Sequence, residues 1–139
     1  MIGINIRTDK KAGRDYAGAI LAGKKTMESR ATDSLRPWVG RRVAIVRTGA
    51  GPAHAIGTVR IVAGWKVPAP VFRMLESFHL VPQYSQFDVS PSGEKWVYLL
   101  VEPHEFAVPH AVAAGIVARQ VLGPLPCPET GVWGDSGAV

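Results

Sequence analysis

The first thirty residues change their hydrophobic period twice. Residues 2–8 (IGINIRT) alternate apolar and polar side chains, which is typical of a half-buried strand. Residues 12–22 instead carry apolar side chains at helical spacing, and residues 25–30 (KTMESR) return to alternation. We therefore predict a strand, a helix and a second strand in this order. The helix would bury a stripe formed by Tyr16, Ala17, Ile20 and Leu21.

Three further strands and one helix are predicted downstream. Residues 41–48 (RRVAIVRT) are rich in β-branched side chains, and the turn GAGP separates them from a partner strand at 54–64. Residues 70–79 have apolar side chains at helical spacing and begin with a proline, which suits the first turn of a helix. A loop over 82–94 then leads to a last strand at 95–102.

This order of elements predicts an α+β fold rather than a regular alternation of strands and helices. It fits a small, mixed and mostly antiparallel sheet that curls into a β-barrel, with helices along one side. We expect one domain over residues 1–139. From about residue 107 we expect a loop-rich tail with one short helix around 110–119, because prolines recur in this part of the chain. These prolines are Pro103, Pro109, Pro124, Pro126 and Pro128.

Composition narrows the class of protein. The 139 residues are 47% hydrophobic and 19% charged, which is the balance of a globular domain that can close one core. No apolar run reaches the roughly 18 residues that a membrane-spanning helix needs, and there is no signal-peptide pattern. Cys127 is the only cysteine, so an intramolecular disulfide and a cysteine-based metal cluster are excluded. The four histidines also lack metal-ligand spacing, so we expect no metal and no cofactor. The lone cysteine and the missing signal-peptide pattern favour a cytoplasmic protein.

The net charge of +5 conceals a strong asymmetry. Residues 1–70 hold thirteen Lys and Arg against four Asp and Glu, a balance of +9, whereas residues 71–139 have a balance of −4. Two interpretations are open: the two halves pair across the fold, or the first half presents a basic face. A basic face would attract ligands that carry phosphate groups.

The segment Ile20–Arg30 (ILAGKKTMESR) concentrates charge directly behind the predicted helix. Gly23 suits the left-handed position after a helix end, and the lysines complement the helix dipole. Glu28 and Arg30 project to the same side of a strand, either as an exposed ion pair worth about 0–1 kcal/mol or as part of a ligand cleft. In a cleft, Arg30 would hold a phosphate or carbonyl and Glu28 would accept an amino proton. Lys25 joins them only if it lies in the turn after Gly23, because strict alternation places it on the opposite face.

Common catalytic motifs are missing from the sequence. There is no GxSxG, GxxxxGK[ST], HExxH or GxGxxG pattern. The stretch GAGPAHAIG is rich in glycine but lacks the lysine and hydroxyl of a phosphate-binding loop. It is interpreted as a turn between two strands.

The residues around the charged segment resemble a known family. YAGAILAGKKTMESR is similar to the signature of the ASCH domains, which is GxKxxExR preceded by a helix of the type YAxxIL. Downstream, the stretches GRRVAIVRTG, AIGTVRIVAGW and WVYLLVEPHEF resemble later strands of that family. The resemblance implies a PUA-like fold, a small β-barrel with flanking helices. The matching motif residues are Gly23, Lys25, Glu28 and Arg30.

The same resemblance implies a function connected with RNA. ASCH domains are related to the PUA domains of RNA-modifying enzymes, and their motif lines a proposed ligand cleft. Some bacterial members are amidohydrolases that deacetylate N(4)-acetylcytidine, and at least one is described as a ribonuclease. The amidohydrolases use the motif lysine, a threonine three residues later and a distant glutamate. Here Lys25 matches, but Glu28 stands at the threonine position, neither Thr26 nor Ser29 replaces it, and Glu76 is the candidate for the distant glutamate.

Two functions are therefore open. The preferred one is an RNA- or nucleotide-binding domain with a basic cleft, with Tyr16 or another aromatic residue at its rim. The alternative is a small hydrolase of modified nucleosides or RNA, with Lys25 and Glu28 as catalytic residues. The expected partner is RNA or a modified nucleoside or nucleotide and not a membrane, and the oligomeric state is left open. Candidate ligand-binding residues are Tyr16, Lys24, Lys25, Thr26, Glu28 and Arg30.

Overall fold

The computed structural model describes residues 1–123, which form one mixed six-stranded sheet with short helices. The strands lie in the order β2-β5-β4-β3-β1-β6, and only β1 and β3 run parallel. The prediction of a mixed, mostly antiparallel sheet is confirmed. The elements are β1 (Ile2–Arg7), α1 (Tyr16–Leu21), β2 (Met27–Arg30), a 3₁₀ turn (Arg36–Trp38), β3 (Arg42–Thr48), β4 (His54–Pro68), α2 (Ala69–Met74), α3 (Glu76–His79), β5 (Glu94–Ala111) and β6 (Ala118–Gln120).

Strand β1 shows the physical origin of the predicted alternation. Its apolar side chains Ile4 and Ile6 are at most 1% exposed, because they face the core that the sheet shares with α1. The strand pairs with β3 on one side and with β6 on the other. A strand in the middle of a sheet satisfies both rows of its backbone hydrogen-bonding groups.

Strands β4 and β5 form a long antiparallel pair whose register shifts at several points. Pro103 and Pro109 both lie in β5 at such irregularities, where a missing N–H costs no ladder hydrogen bond. The residue before Pro103, Glu102, has φ of +53°, as a bulged backbone allows. Bulges therefore let β5 run on to Ala111, and β6 follows within the segment where the sequence predicts loops and a helix at 110–119. The helix expected at 110–119 is wrong, and strands occupy part of the segment expected to be loop-rich, whereas residues 112–117 lie outside the strands. Pro124, Pro126, Pro128 and Cys127 lie outside the described residues.

The predicted helices are shorter in the structure. The helix expected at 12–22 covers Tyr16–Leu21, with the Asp15 carboxylate accepting from the backbone N–H of Gly18 at its start. The helix expected at 70–79 is divided into α2 and α3 at Leu75 (φ −92°, ψ 12°). Leu80 then ends α3 in a left-handed conformation with φ of +64°. This interruption turns His79 into the core, where it is fully buried.

Closure of the sheet into a barrel is not confirmed. Among the described strands, the edge strands β2 and β6 each pair with one neighbour and not with each other. The core lies between the sheet and the helices, and its largest buried apolar residues include Tyr98, Phe72 and Leu35. Within residues 1–123, no helix has the length and apolar character required to cross a membrane.

Candidate ligand site

The turn between α1 and β2 determines where Lys25 points. Gly23 has φ of +77°, a conformation that residues with a side chain adopt at a cost. The backbone N–H groups of Lys24 and Lys25 both donate to the carbonyl of Ala19, at 3.0 Å each. Because β2 begins only at Met27, Lys25 belongs to this turn and is not bound by the alternation of the strand.

The Lys25 side chain is 1% exposed and runs into the core. Its Nζ donates a hydrogen bond to the carbonyl of His79, lies 3.5 Å from Oε1 of Glu28, and is 4.9 Å from the centre of the Tyr16 ring. Burial lowers the pKa of Lys25, and the neighbouring Glu28 carboxylate opposes this by favouring the charged form. Lys25 is thus a desolvated ammonium held by a carbonyl, a carboxylate and an aromatic face.

Glu28 and Arg30 extend this line of charges. Nε of Arg30 donates to Oε2 of Glu28 at 3.1 Å, and its Nη2 donates to the carbonyl of Asn5 in β1. The Glu28 side chain is 10% exposed and that of Arg30 is 18% exposed. The Glu28–Arg30 pair is therefore not the exposed ion pair that the sequence allows. Each carboxylate oxygen of Glu28 contacts one cation, Lys25 at Oε1 and Arg30 at Oε2.

These charges face a cavity of about 340 Å³. Tyr16 and Phe87 form part of its wall, with their rings 6.1 Å apart in an edge-on arrangement. Tyr16 is 5% exposed, so it lies in the wall and not at the rim, and burial raises its pKa. Its hydroxyl has no hydrogen-bond partner among the described residues. A buried hydroxyl without a partner is costly, which makes this atom a candidate for contact with a ligand.

Comparisons with known proteins identify the architecture around this cavity. No protein family profile and no curated protein match the chain by sequence. The crystal structure of ASCH from Zymomonas mobilis, at 19% identity, matches with a TM-score of 0.61 over 77% of this chain and 71% of that chain. The chain has the ASCH-domain fold.

Two variants of the same Zymomonas mobilis protein match in the same way. One carries alanine in place of a serine (TM-score 0.59, covering 78% of this chain and 71% of that chain), and the other carries phenylalanine in place of a tyrosine (TM-score 0.58, covering 77% and 73%). Both are 19% identical to the present chain. At this identity the likeness establishes the fold, and the resemblance inferred from the motif is confirmed to that extent.

Within this ASCH fold, three candidate residues are not at the cavity. Lys24 is exposed on the turn and is not part of the lining. Thr26 lines a second, mostly apolar cavity of about 280 Å³ beyond Lys25. Glu76 is exposed in α3 and does not line the cavity either, so the structure does not place it as the distant glutamate. The structure brings together Tyr16, Lys25, Glu28 and Arg30.

Lys95 is a residue that the motif did not reveal. It lies near the start of β5, lines the cavity, and has its Nζ 5.8 Å from the centre of the Phe72 ring. Partial burial lowers its pKa, and Glu28 is the largest opposing influence. The signal in the sequence is weak, because one lysine at the start of an apolar strand is usually solvated. Gln86, Phe87 and Ser29 also line the cavity and were not among the predicted ligand-binding residues.

His79 supports the site from behind. Its Nδ1 accepts from the backbone N–H of Val81 at 2.9 Å, its Nε2 donates to the carbonyl of Phe72 at 2.6 Å, and its ring stacks on that of Phe72. An acceptor role for Nδ1 requires the neutral ring. Burial lowers the pKa of His79, and the nearby Lys25 charge acts in the same direction. The neutral imidazole thereby fixes the backbone that holds Lys25.

Proposed function

We propose that this cavity binds a base of RNA or a nucleotide, and that the protein is an RNA- or nucleotide-binding domain. The observation that carries the proposal is the carboxylate of Glu28 held between Lys25 and Arg30 in the wall of an aromatic-lined cavity. A volume of about 340 Å³ lies at the lower end of the range for small-molecule sites, roughly 300–1,000 Å³.

The polar groups of the wall match the edge of a nucleobase. Glu28 accepts hydrogen bonds, and the amino group of adenine, cytosine or guanine donates them. The Tyr16 hydroxyl and the Nη atoms of Arg30 can donate to ring nitrogens or carbonyl oxygens. Phe87 offers an apolar surface on which a base can stack, as is common in the recognition of single-stranded RNA.

The electrostatic character of the cavity favours an anionic ligand. Among the described lining residues, four carry positive charge (Arg7, Lys25, Arg30 and Lys95) and one, Glu28, carries negative charge. An excess of cations around a cleft raises the local concentration of phosphate-bearing ligands. Contacts of these cations with phosphates would add affinity but little specificity, which would come from the contacts with the base.

Titration of the protein with a short single-stranded RNA and with the four ribonucleoside 5′-monophosphates tests the proposal. We expect dissociation constants in the micromolar range or weaker, about −8 kcal/mol at most. Tyr16→Phe, which keeps the ring and removes the hydroxyl, should weaken binding of at least one nucleotide. Val62→Thr, an exposed position on β4 away from the cavity lining, is the control. Equal affinities of wild type, Tyr16→Phe and Glu28→Gln for every probe would contradict the proposal.

The alternative function is hydrolysis of a modified nucleoside such as N(4)-acetylcytidine, or of RNA. One observation favours it: Lys25 is buried, has a lowered pKa, and faces the cavity beside a carboxylate. A lysine tuned in this way can act as a general base. Ser29 lines the same cavity and would supply a hydroxyl, whereas Thr26 lines the other one.

Release of acetate from N(4)-acetylcytidine, or cleavage of labelled RNA, distinguishes the alternative from simple binding. If the hydrolase function holds, Lys25→Met abolishes turnover and Glu28→Gln reduces it strongly, because the amide cannot accept a proton. Ser29→Ala then reports whether the hydroxyl takes part. Binding without turnover by the wild type, for both substrates, rules out this alternative.

A further inference from the structure

We propose that the turn formed by residues 9–14, the basic turn, binds the phosphates of a nucleic acid strand whose unpaired base occupies the cavity. The inference deepens the proposed function and rests on it. It assigns a single-stranded nucleic acid, rather than a free nucleoside, as the ligand. None of Lys10, Lys11 and Arg14 belongs to the motif or lines the cavity.

The basic turn is a defined structure and not a loose loop. Asp9 and Arg14 close it with two backbone hydrogen bonds, each 2.9 Å long. The buried Asp9 carboxylate accepts from the N–H of Ala12 at 3.1 Å, and Gly13 has φ of +66°. Such a closed turn presents Lys10 and Lys11 at its exposed tip.

Two hydrogen bonds and one chain connection place the basic turn beside the cavity. Nε2 of Gln86, which lines the cavity, donates to the Asp9 carboxylate at 2.9 Å. Nη1 of Arg14 donates to the carbonyl of Leu80, the neighbour of the lining residue Val81, at 3.1 Å. Arg7 precedes the turn in the chain and lines the cavity itself. Positive charge thus continues from the cavity wall to the tip of the turn.

The carboxylates near the basic turn offset only part of its charge. Asp9 carries one negative charge against the three positive charges of Lys10, Lys11 and Arg14, and its hydrogen bonds to Ala12 and Gln86 hold it inside the turn. Asp15 is occupied by Arg47, with contacts of 3.1 and 2.6 Å, and although burial favours its neutral form, the hydrogen bonds from Arg47 and Gly18 lower its pKa. Within residues 1–123, Arg7, Lys10 and Lys11 have no ion-pair partner.

A nucleic acid strand matches this distribution of charge better than a free nucleoside does. An uncharged nucleoside can fill the cavity but has no phosphate to place on the basic turn. A single strand offers an unpaired base together with a row of phosphates, and proteins recognise it through a basic track next to a stacking site. Exposed lysines that contact phosphates contribute affinity that falls steeply with salt concentration.

The double variant Lys10→Gln/Lys11→Gln tests the inference, with Arg41→Gln/Arg60→Gln as a charge-matched control. Arg41 and Arg60 are exposed at the opposite end of β3, about 20 Å from the basic turn by the rise of a strand. The probe is a fluorescein-labelled single-stranded RNA of mixed sequence, about twelve nucleotides long, titrated by anisotropy at several salt concentrations. We expect Lys10→Gln/Lys11→Gln to weaken binding about tenfold at low salt and to reduce the slope of log K against log salt by about 1.4, which is two contacts at about 0.7 each. The control should leave the slope unchanged.

The outcomes separate this inference from the proposed function. Equal losses in the two double variants, or no loss in either, overturn the inference, because net charge or another surface then accounts for binding. Suppose that Tyr16→Phe or Glu28→Gln lowers the affinity for RNA while Lys10→Gln/Lys11→Gln does not. The proposed function of the cavity then stands, and only the inference about the basic turn is overturned. If the wild type binds neither the RNA nor any nucleotide, both fail.

Discussion

Nζ of Lys25 donates a hydrogen bond to the backbone carbonyl of His79, 54 residues further along the chain. Lys25 lies in the turn before β2, and His79 ends α3. The bond joins the charged segment of the motif to the α2–α3 pair. It also keeps the ammonium in the cavity wall, where Glu28 and Tyr16 complete its surroundings. The geometry of this site therefore depends on how the interrupted helix is packed.

Substitution of Lys25 by methionine should separate stability from binding. Methionine fills similar space, but it leaves the carbonyl of His79 without its donor and Glu28 with Arg30 as its remaining counter-charge, so the free energy of unfolding should fall by about 1–3 kcal/mol. Lys25→Ala, which leaves a cavity as well, should cost about 2 kcal/mol more. Urea unfolding measures both changes. Nucleotide affinity should fall at least about tenfold in Lys25→Met, or ~1.4 kcal/mol, and unchanged affinity would show that Lys25 has only a structural part.

Protonation of His79 should destabilise the fold below neutral pH. The folded pKa is lowered from 6.5, so the unfolded chain binds the proton more readily. The stabilisation is therefore complete above about pH 6.5 and is lost as the pH falls below that value, at up to about 1.4 kcal/mol per pH unit. Urea unfolding at pH 7.5 and 5.5 measures this loss. His79→Gln should be less stable at pH 7.5 yet show a smaller difference between the two pH values, and an equal difference would contradict the assignment.

Replacement of Glu28 by glutamine should weaken binding in a way that depends on the base, besides lowering stability. The amide has the shape of the carboxylate but leaves Lys25 without a counter-charge at 3.5 Å. Binding of nucleotides whose base carries an amino group should weaken, whereas uridine monophosphate should be less affected, because uracil has no amino group to donate. Calorimetric titrations of both nucleotide types measure the contrast. A uniform loss over all four would assign Glu28 to positioning Lys25 and Arg30 instead of base contact.

Gly23→Ala tests the turn that directs Lys25 inward. No atom obstructs a methyl group at this position, but its φ of +77° is unfavourable for alanine. We expect a cost of about 1–2 kcal/mol in the free energy of unfolding. Gly51→Ala, at φ +75° in the β3–β4 turn and equally unobstructed, is the matched control. Both variants should lose similar stability, but only Gly23→Ala should weaken nucleotide binding, and identical binding losses would exclude a specific part for the turn.

Most elements of this fold follow from local patterns in the sequence. Alternation in β1 and the β-branched run of β3 identify half-buried and buried strands, because side-chain period follows directly from strand geometry. The motif around Lys25 can also be recognised from the sequence, since GxKxxExR and the preceding helix lie within one short segment. Local patterns overestimate the length of both helices. They also miss the last part of β5 and the whole of β6. Prolines there indicate loops, yet bulges in β5 accommodate Pro103 and Pro109.

Which charged residues share a cavity depends on the packing of segments that are distant in the chain. Local spacing separates Lys25 from Glu28 and gives no reason to join them to Lys95, Gln86 or Phe87, which β5 and the preceding loop bring to the same wall. The hydrogen bonds of Lys25 to His79 and of Arg30 to Asn5 span 54 and 25 residues. Burial of a charge depends on such distant partners, because a single carbonyl or carboxylate nearby in space offsets part of the desolvation cost wherever it lies in the chain. Periodicity along the sequence carries no information about those distances.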